Sequence, residues 1–143
     1  MQRSDVVDVL TMQLVLSDAT VLPVTTELAF SADDPYTIRA TFTGQSAMST
    51  WLFGRELLQE GLRATEDSPA GLGDVRIWRD EDPRYVLINL YGVEGEALLA
   101  CPVEPLERFL ATTATLVPIG RESDTVAEQI AAFIETLTSG GRA

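Results

Sequence analysis

The chain contains no histidine and no lysine, and it has a single cysteine among its 143 residues. Without histidine it lacks the commonest general base, the commonest zinc ligand and the side chain that titrates nearest neutral pH. Without lysine it can form no Schiff base and no P-loop. One cysteine makes no internal disulfide and no thiolate zinc site. We therefore predict that the protein is not an enzyme and uses neither a metal nor a cofactor.

The lone cysteine, Cys101, ends the apolar run 97–101. Free cysteine is among the most frequently buried residue types. A reactive thiolate would need a neighbouring base, and the chain has no histidine to serve as one. A buried, inert thiol is predicted.

Basic charge is scarce: ten arginines face 22 acidic residues, which gives a net charge of −12. Such a balance repels nucleic acid and anionic membranes. No apolar run is long enough to cross a bilayer, and Asp5 and Asp8 interrupt the only apolar stretch that resembles a signal peptide. We expect a cytoplasmic protein without a membrane segment.

Gly71 and Gly73 match the first two glycines of the dinucleotide-binding fingerprint. Arg76 occupies the position of its third glycine, and a strand follows where the motif requires a helix, so the fingerprint fails.

The hydrophobic pattern predicts two runs of strands separated by a short helix. Alternation is clearest in the third strand, where Tyr36, Ile38, Ala40 and Phe42 share one face. The first four strands follow one another through short turns, so they should form an antiparallel meander. Strands are predicted at 6–16, 24–31, 36–43, 46–53, 74–79, 84–91 and 96–101, with a helix at 55–60.

Two helices are predicted after the strands. Pro105 lies in the first turn of one helix, and a capping box at Thr125 to Glu128, or Asp124, begins the other. The last helix carries an apolar stripe at helical spacing, for which core packing is the prediction and a partner-binding groove the alternative. The stripe consists of Val126, Ile130, Phe133, Ile134 and Leu137. The order ββββ-α-βββ-αα indicates an α+β domain spanning 1–143, with frayed ends at 1–5 and 139–143.

The most distinctive stretch surrounds the short helix. It reads WLFGRELLQEGL at 51–62 and, after a polar loop, GDVRIW at 73–78. Gly61 stands where a left-handed helix cap favours glycine. Trp51 and Trp78 flank the helix and loop, and tryptophan is favoured at contact hot spots. For Arg55 beside Glu56, a surface ion pair or a structural arginine is the alternative to a functional role.

This stretch resembles the signature of the SsgA-like proteins, which act in sporulation and cell division of filamentous actinomycetes. Segments 22–24, 32–36, 95–99 and 106–110 agree with the same family, so the resemblance spans about 14–121. Arg79 stands where the family has proline and Gly54 where alanine is commoner. These departures leave the paralogue open, an SsgB-type member being one possibility.

The resemblance implies a fold, an assembly and a function. It implies two antiparallel β-sheets of about seven or eight strands braced by helices, similar to the Whirly-type binders of single-stranded nucleic acid and assembled as a homotrimer. It implies a non-enzymatic factor at the division septum that contacts FtsZ directly or through another SsgA-like protein. Trp51, Arg55 and Trp78 are the candidate partner-binding residues. A single-stranded nucleic-acid-binding module is the alternative, against which the acidic charge argues.

Overall fold

The computed structural model describes residues 4–17, 20–45, 47–92 and 95–140. Within them, seven strands and three helices follow in the predicted order ββββ-α-βββ-αα, which confirms the α+β class. The strands are Val6–Ser17 (β1), Thr20–Ser31 (β2), Asp34–Thr43 (β3), Met48–Gly54 (β4), Val75–Arg79 (β5), Tyr85–Gly92 (β6) and Gly95–Pro102 (β7). The helices are Arg55–Gly61 (α1), Val103–Leu116 (α2) and Glu122–Gly140 (α3).

Some predicted features fall outside these ranges. They are residue 46, predicted to begin the fourth strand, and the end residues 1–3 and 141–143, which include most of the predicted frayed ends.

All seven strands belong to one antiparallel sheet, with the order β4-β3-β2-β1-β7-β6-β5. The predicted meander of β1 to β4 is confirmed. The prediction of two separate sheets is wrong, because β1 pairs with β7 over three residues, Gln13 to Val15 opposite Ala100 to Leu98. This short junction joins two meanders that sequence alone presents as separate runs of strands.

The core lies on one face of this sheet, which we name the covered face. The alternation predicted for β3 is confirmed from Ile38 onward, since Ile38, Ala40 and Phe42 are all buried there, whereas Tyr36 near the start of the strand is half exposed. α1 and α2 pack over this face with Leu58, Phe109 and other apolar side chains, which removes them from water. Cys101 is fully buried in the same cluster, as predicted.

Gly61 lies at the point where α1 meets β5. Its backbone does not adopt a positive φ, so the predicted left-handed cap is wrong. The residue is required for a different reason: a Cβ built on it would lie 2.2 Å from Cγ2 of the buried Ile77. Glycine therefore allows the helix backbone to approach the strand closely.

The last helix differs most from expectation. α3 begins at Glu122, two residues before Asp124 and three before Thr125, the two predicted caps. Its apolar stripe is not buried in the core: Ile130, Phe133, Ile134 and Leu137 are each more than half exposed. The prediction of core packing is therefore wrong for the single chain. Beyond its first turns the helix is held by few contacts, among them a bond of 2.9 Å that the Gln129 side chain donates to the Asp33 carbonyl.

Candidate partner-binding surfaces

An apolar groove of about 680 Å³ opens at one end of the covered face. Met48 and Trp51 of β4 form one wall, and Leu90 of β6 and Leu99 of β7 contribute to the other. β4 is at one end of the sheet order and is separated from β7 by three strands. Strands so far apart line one groove only because the sheet curls towards its covered face.

Trp51 is partly buried and packs against the core, whereas Met48 at the rim of the groove is 70 % exposed. Among the described strands β4 pairs only with β3, so its other edge offers unpaired backbone groups beside the groove. An apolar concavity next to an open strand edge can accept an apolar segment of another protein.

Trp78 lies on the opposite face of the sheet. Its neighbour Ile77 is buried on the covered face, and successive strand residues alternate, so the indole points to the outer face beside its cross-strand partner Leu87. The structure therefore does not bring Trp51 and Trp78 together. They mark two separate surfaces.

Arg55 has no exposed surface and lies at a junction of four elements. Its guanidinium donates to the Val117 carbonyl at 2.7 Å, just beyond α2, and to the Glu122 carboxylate at 3.0 Å, at the start of α3. It also lies 5.0 Å from the ring centre of Phe30 on β2. This is a structural arginine, one of the alternatives that the sequence left open.

The Arg55 junction fixes where α3 leaves the domain. Glu122 uses one carboxylate oxygen for Arg55 and the other for the backbone N–H of Gly120, at 2.8 Å. These bonds explain why the helix begins at Glu122 and not at the predicted cap. Sequence reasoning missed Glu122, because 67 residues separate it from Arg55 and no local pattern links them.

The Glu122 carboxylate has a pKa below its usual range. Burial by itself raises the pKa, but hydrogen bonds from backbone N–H groups and from Arg55, with the attraction of the guanidinium, outweigh it. Because the folded pKa is depressed, the ionised carboxylate stabilises the fold above the unfolded pKa of about 4.3. That contribution is lost as the pH falls through the lower, folded pKa.

We therefore expect the free energy of unfolding to fall on acidification below about pH 4.5, and to fall less steeply in Glu122→Gln. Urea unfolding at a series of pH values measures both. Glu104→Gln is the matched control, because it removes a carboxylate whose ion pair with Arg108 is exposed on α2. Equal pH dependence in wild type and Glu122→Gln would contradict the assignment.

Arg79 connects two loops through its side chain. Its guanidinium donates to the Leu62 carbonyl at 3.0 Å and to the Pro83 carbonyl at 2.7 Å. Proline has no side-chain donor for either bond. Arg79 therefore joins the end of α1 to the β5–β6 turn.

Within the described ranges no group of three or more histidine, cysteine, aspartate or glutamate side chains is arranged to hold a metal ion. Burial raises the pKa of the Cys101 thiol to about 12, which keeps it protonated at neutral pH. Across the same ranges no helix combines the length and apolar character needed to cross a membrane.

Comparison with known proteins places these features in context. Residues 24–122 match the family model described as "Streptomyces sporulation and cell division protein, SsgA". The chain is 44 % identical over 114 residues to "Sporulation-specific cell division protein SsgB" of Streptomyces coelicolor, covering 78 % of this chain and 80 % of that protein. It is 42 % identical over 118 residues to the protein of the same name in Salinispora tropica, covering 79 % and 80 %.

Solved structures agree. One, described by "Mutations in SsgB correlate to longitudinal cell division during sporulation of Streptomyces coelicolor", superposes with a TM-score of 0.77 at 41 % identity, covering 84 % of this chain and 94 % of that one. An SsgA-like sporulation-specific cell division protein from Thermobifida fusca gives a TM-score of 0.75 at 37 % identity, covering 93 % and 99 %.

Proposed function

The chain belongs to the SsgA family of sporulation and cell division proteins, and from that premise we propose that it is a non-enzymatic factor that helps position the sporulation septum. In this proposal it contacts FtsZ directly or through another SsgA-like protein, works in the cytoplasm at the division site and assembles as a homotrimer. The relatives are named as sporulation-specific cell division proteins of the SsgB type, which supports a role in that process.

The observation that carries the proposal is the apolar groove beside the free edge of β4. Its lining is largely apolar. Among the described residues, no group of metal-ligating side chains lies in or near it. A concave apolar surface without reactive groups suits protein recognition better than chemistry. The groove also contains Trp51, the residue type most enriched at binding hot spots.

The test is co-sedimentation with polymerised FtsZ from the same organism, with light scattering run beside it to give the mass of the protein. Recovery of the protein in the FtsZ pellet as a defined oligomer is the expected result. If it stays in the supernatant with FtsZ alone, an SsgA-like partner is added. Failure to pellet under both conditions would overturn the proposal.

Met48→Gln is expected to weaken FtsZ or partner binding about tenfold, because it places a polar group at the rim of a groove that an apolar segment would fill. The residue is 70 % exposed, so the fold should be unaffected. Binding is measured by titrating the pelleted fraction.

Leu72→Gln is the control for that variant, because Leu72 is 98 % exposed in the loop before β5 and does not line the groove. Equal weakening by both substitutions would indicate a general effect of surface polarity and would remove the groove from the proposal.

The other candidate residues take different roles in the proposal. Arg55 acts indirectly, by holding the start of α3, because it has no surface with which to touch a partner. Trp78 offers a second contact on the outer face, where Arg76 stacks 5.7 Å from the ring centre of Tyr91. An adaptor with these two surfaces would contact FtsZ through one of them and another SsgA-like protein through the other.

Binding of single-stranded nucleic acid and the likeness to the Whirly fold stay predictions. The net charge of −12 opposes the first, because neutralising phosphates requires a basic surface. A mobility shift with single-stranded oligonucleotides at low salt would support nucleic-acid binding.

A further inference from the structure

We propose that the open edge of β4 binds an extended segment of the partner protein, which pairs with β4 as an added strand and places apolar side chains in the groove. The inference rests on the proposed function and deepens it, because it states how the partner is held and what chemistry its segment has. It depends on the backbone of β4 as well as on the apolar lining of the groove.

The two outermost strands of the sheet differ in how their free edges are protected. Along the free edge of β5, Ala70 and Ile77 exchange two backbone hydrogen bonds of 2.8 and 3.0 Å, and the N–H of Arg79 donates to the Ala64 carbonyl at 3.0 Å. The loop before β5 therefore covers that edge. Among the described residues, none pairs with the free edge of β4.

β4 also lacks the features by which an edge strand avoids pairing. Such strands usually carry a charged side chain, a proline or a β-bulge. The sequence of β4 is MSTWLFG, which contains no charged residue and no proline. Its register with β3 runs without a shift from Met48 to Gly54. The edge is therefore a regular, uncharged template for a further strand.

The backbone groups that β4 offers follow from its pairing with β3. The N–H of Gly44 donates to the Ala47 carbonyl at 2.8 Å and closes the hairpin, so these two residues form a hydrogen-bonded pair. Hydrogen-bonded and non-hydrogen-bonded pairs alternate along an antiparallel ladder. Trp51 therefore directs its N–H and C=O to β3, whereas Thr50 and Leu52 direct theirs to the open edge.

The same alternation assigns the side chains of the added strand to two faces. Trp51 lines the groove, and its neighbours Thr50 and Leu52 are exposed on the outer face. In an antiparallel segment, the residues opposite Ser49 and Trp51 would form non-hydrogen-bonded pairs, in which side chains lie closest. Those residues would point into the groove, so every second residue of the segment must be apolar.

The size of the groove favours a single segment as the occupant. Its volume of about 680 Å³ is in the range of sites that accept one small ligand. β6 and β7 contribute the wall across from β4, and α1 contacts both β4 and β5. A flexible single chain therefore fits beside the edge better than a folded domain does.

Charge distinguishes the partner from a second copy of this chain. Among the described residues that line the groove, the one charged residue is Glu96, which is exposed beside the β6–β7 turn. A basic residue next to the apolar positions of the segment would complement it, and the net charge of −12 attracts such a segment over longer distances. A second copy carries the same negative charge and is repelled. The groove therefore suits an apolar, basic segment of a different protein.

The experiment compares two substitutions at one position. Thr50→Pro removes the N–H that faces the open edge and leaves the bonds to β3 in place, which an edge strand tolerates. Thr50→Ala keeps the N–H, and both variants lose the same hydroxyl with its 3.4 Å contact to the Thr41 hydroxyl. Pelleting with FtsZ, and with an SsgA-like partner added where FtsZ alone is insufficient, measures binding. Urea unfolding checks the fold, and light scattering gives the mass.

We expect Thr50→Pro to bind at least about tenfold more weakly than Thr50→Ala, because a backbone hydrogen bond is lost and its acceptor is left unpaired. In the wild-type complex, hydrogen exchange should show new protection of the Thr50 and Leu52 amides, a measurement that requires no variant. Glu96→Gln should weaken binding about threefold and reduce its dependence on salt.

Equal binding by the two Thr50 variants, or unchanged exchange of the Thr50 and Leu52 amides in the complex, would overturn the inference and leave the proposed function standing. A folded Thr50→Pro variant that loses the oligomeric mass of the wild type would also overturn it, because the edge would then belong to a contact between copies. A wild type that pellets under neither condition would overturn the proposed function and the inference together.

Discussion

Replacing Arg55 with alanine should destabilise the fold by about 3–5 kcal/mol, the range for breaking a buried ion pair by removing one member. The guanidinium is fully buried, and its loss removes the ion-pair partner of the largely buried Glu122 carboxylate and the Arg55 donor of the Val117 carbonyl. Removing the long side chain also leaves a cavity beside Phe30, which adds to the cost. Urea unfolding followed by circular dichroism measures the change.

Arg108→Ala is the matched control, because its ion pair with Glu104 has both partners exposed on α2. Exposed pairs at this spacing contribute about 0.3–0.5 kcal/mol, so the control should stay close to wild type. A cost below about 1 kcal/mol for Arg55→Ala would show that α3 and the end of α2 are held by other contacts.

Gly61→Ala should destabilise the fold by about 2–3 kcal/mol, the upper part of the range for overpacking. The added methyl group would lie 2.2 Å from one side-chain carbon of Ile77 and 2.6 Å from another, so α1 or β5 must move. Neither can move freely, since Ile77 is fully buried on the covered face. The same unfolding experiment measures the cost.

Gly73→Ala provides the comparison, because a Cβ on Gly73 meets nothing within 4 Å and its φ is not positive. Alanine there restricts the unfolded chain and should be neutral or slightly stabilising, by up to about 1 kcal/mol. If both alanine variants behave alike, the close approach of α1 to β5 is not what requires glycine at position 61.

The sequence predicts local structure well where the hydrophobic pattern is regular. Alternation in β3 identified both the strand and its buried face, because every second side chain there is apolar. Gly61 was located correctly as a special position but for the wrong reason, since sequence shows that glycine is present and not whether φ or space requires it. Only the position of Ile77 distinguishes the two.

Features that depend on distant residues could not be predicted in the same way. The β1–β7 junction involves three ordinary residue pairs far apart in the chain, so the hydrophobic pattern shows two runs of strands and not that they join; the two separate sheets were implied by the family resemblance. Helical periodicity revealed the stripe on α3, but periodicity is the same whether the face is covered by its own domain or by another. Trp51, Arg55 and Trp78 came from one short stretch, yet they occupy the groove, the core and the outer face.

The narrow β1–β7 junction also bears on how the domain opens. Pairing Val15 with Leu98 closes a loop of about 80 residues, at an entropic cost of about 4 kcal/mol. Three residue pairs contribute only a few backbone hydrogen bonds at about 1 kcal/mol each, so the ladder barely offsets the closure. The two meanders are therefore joined by the apolar side chains packed across the covered face. In native-state hydrogen exchange, the amides of the β1–β7 junction should exchange together with those of the core, as one cooperative unit. Their protection should be lost when the packing of the apolar side chains loosens.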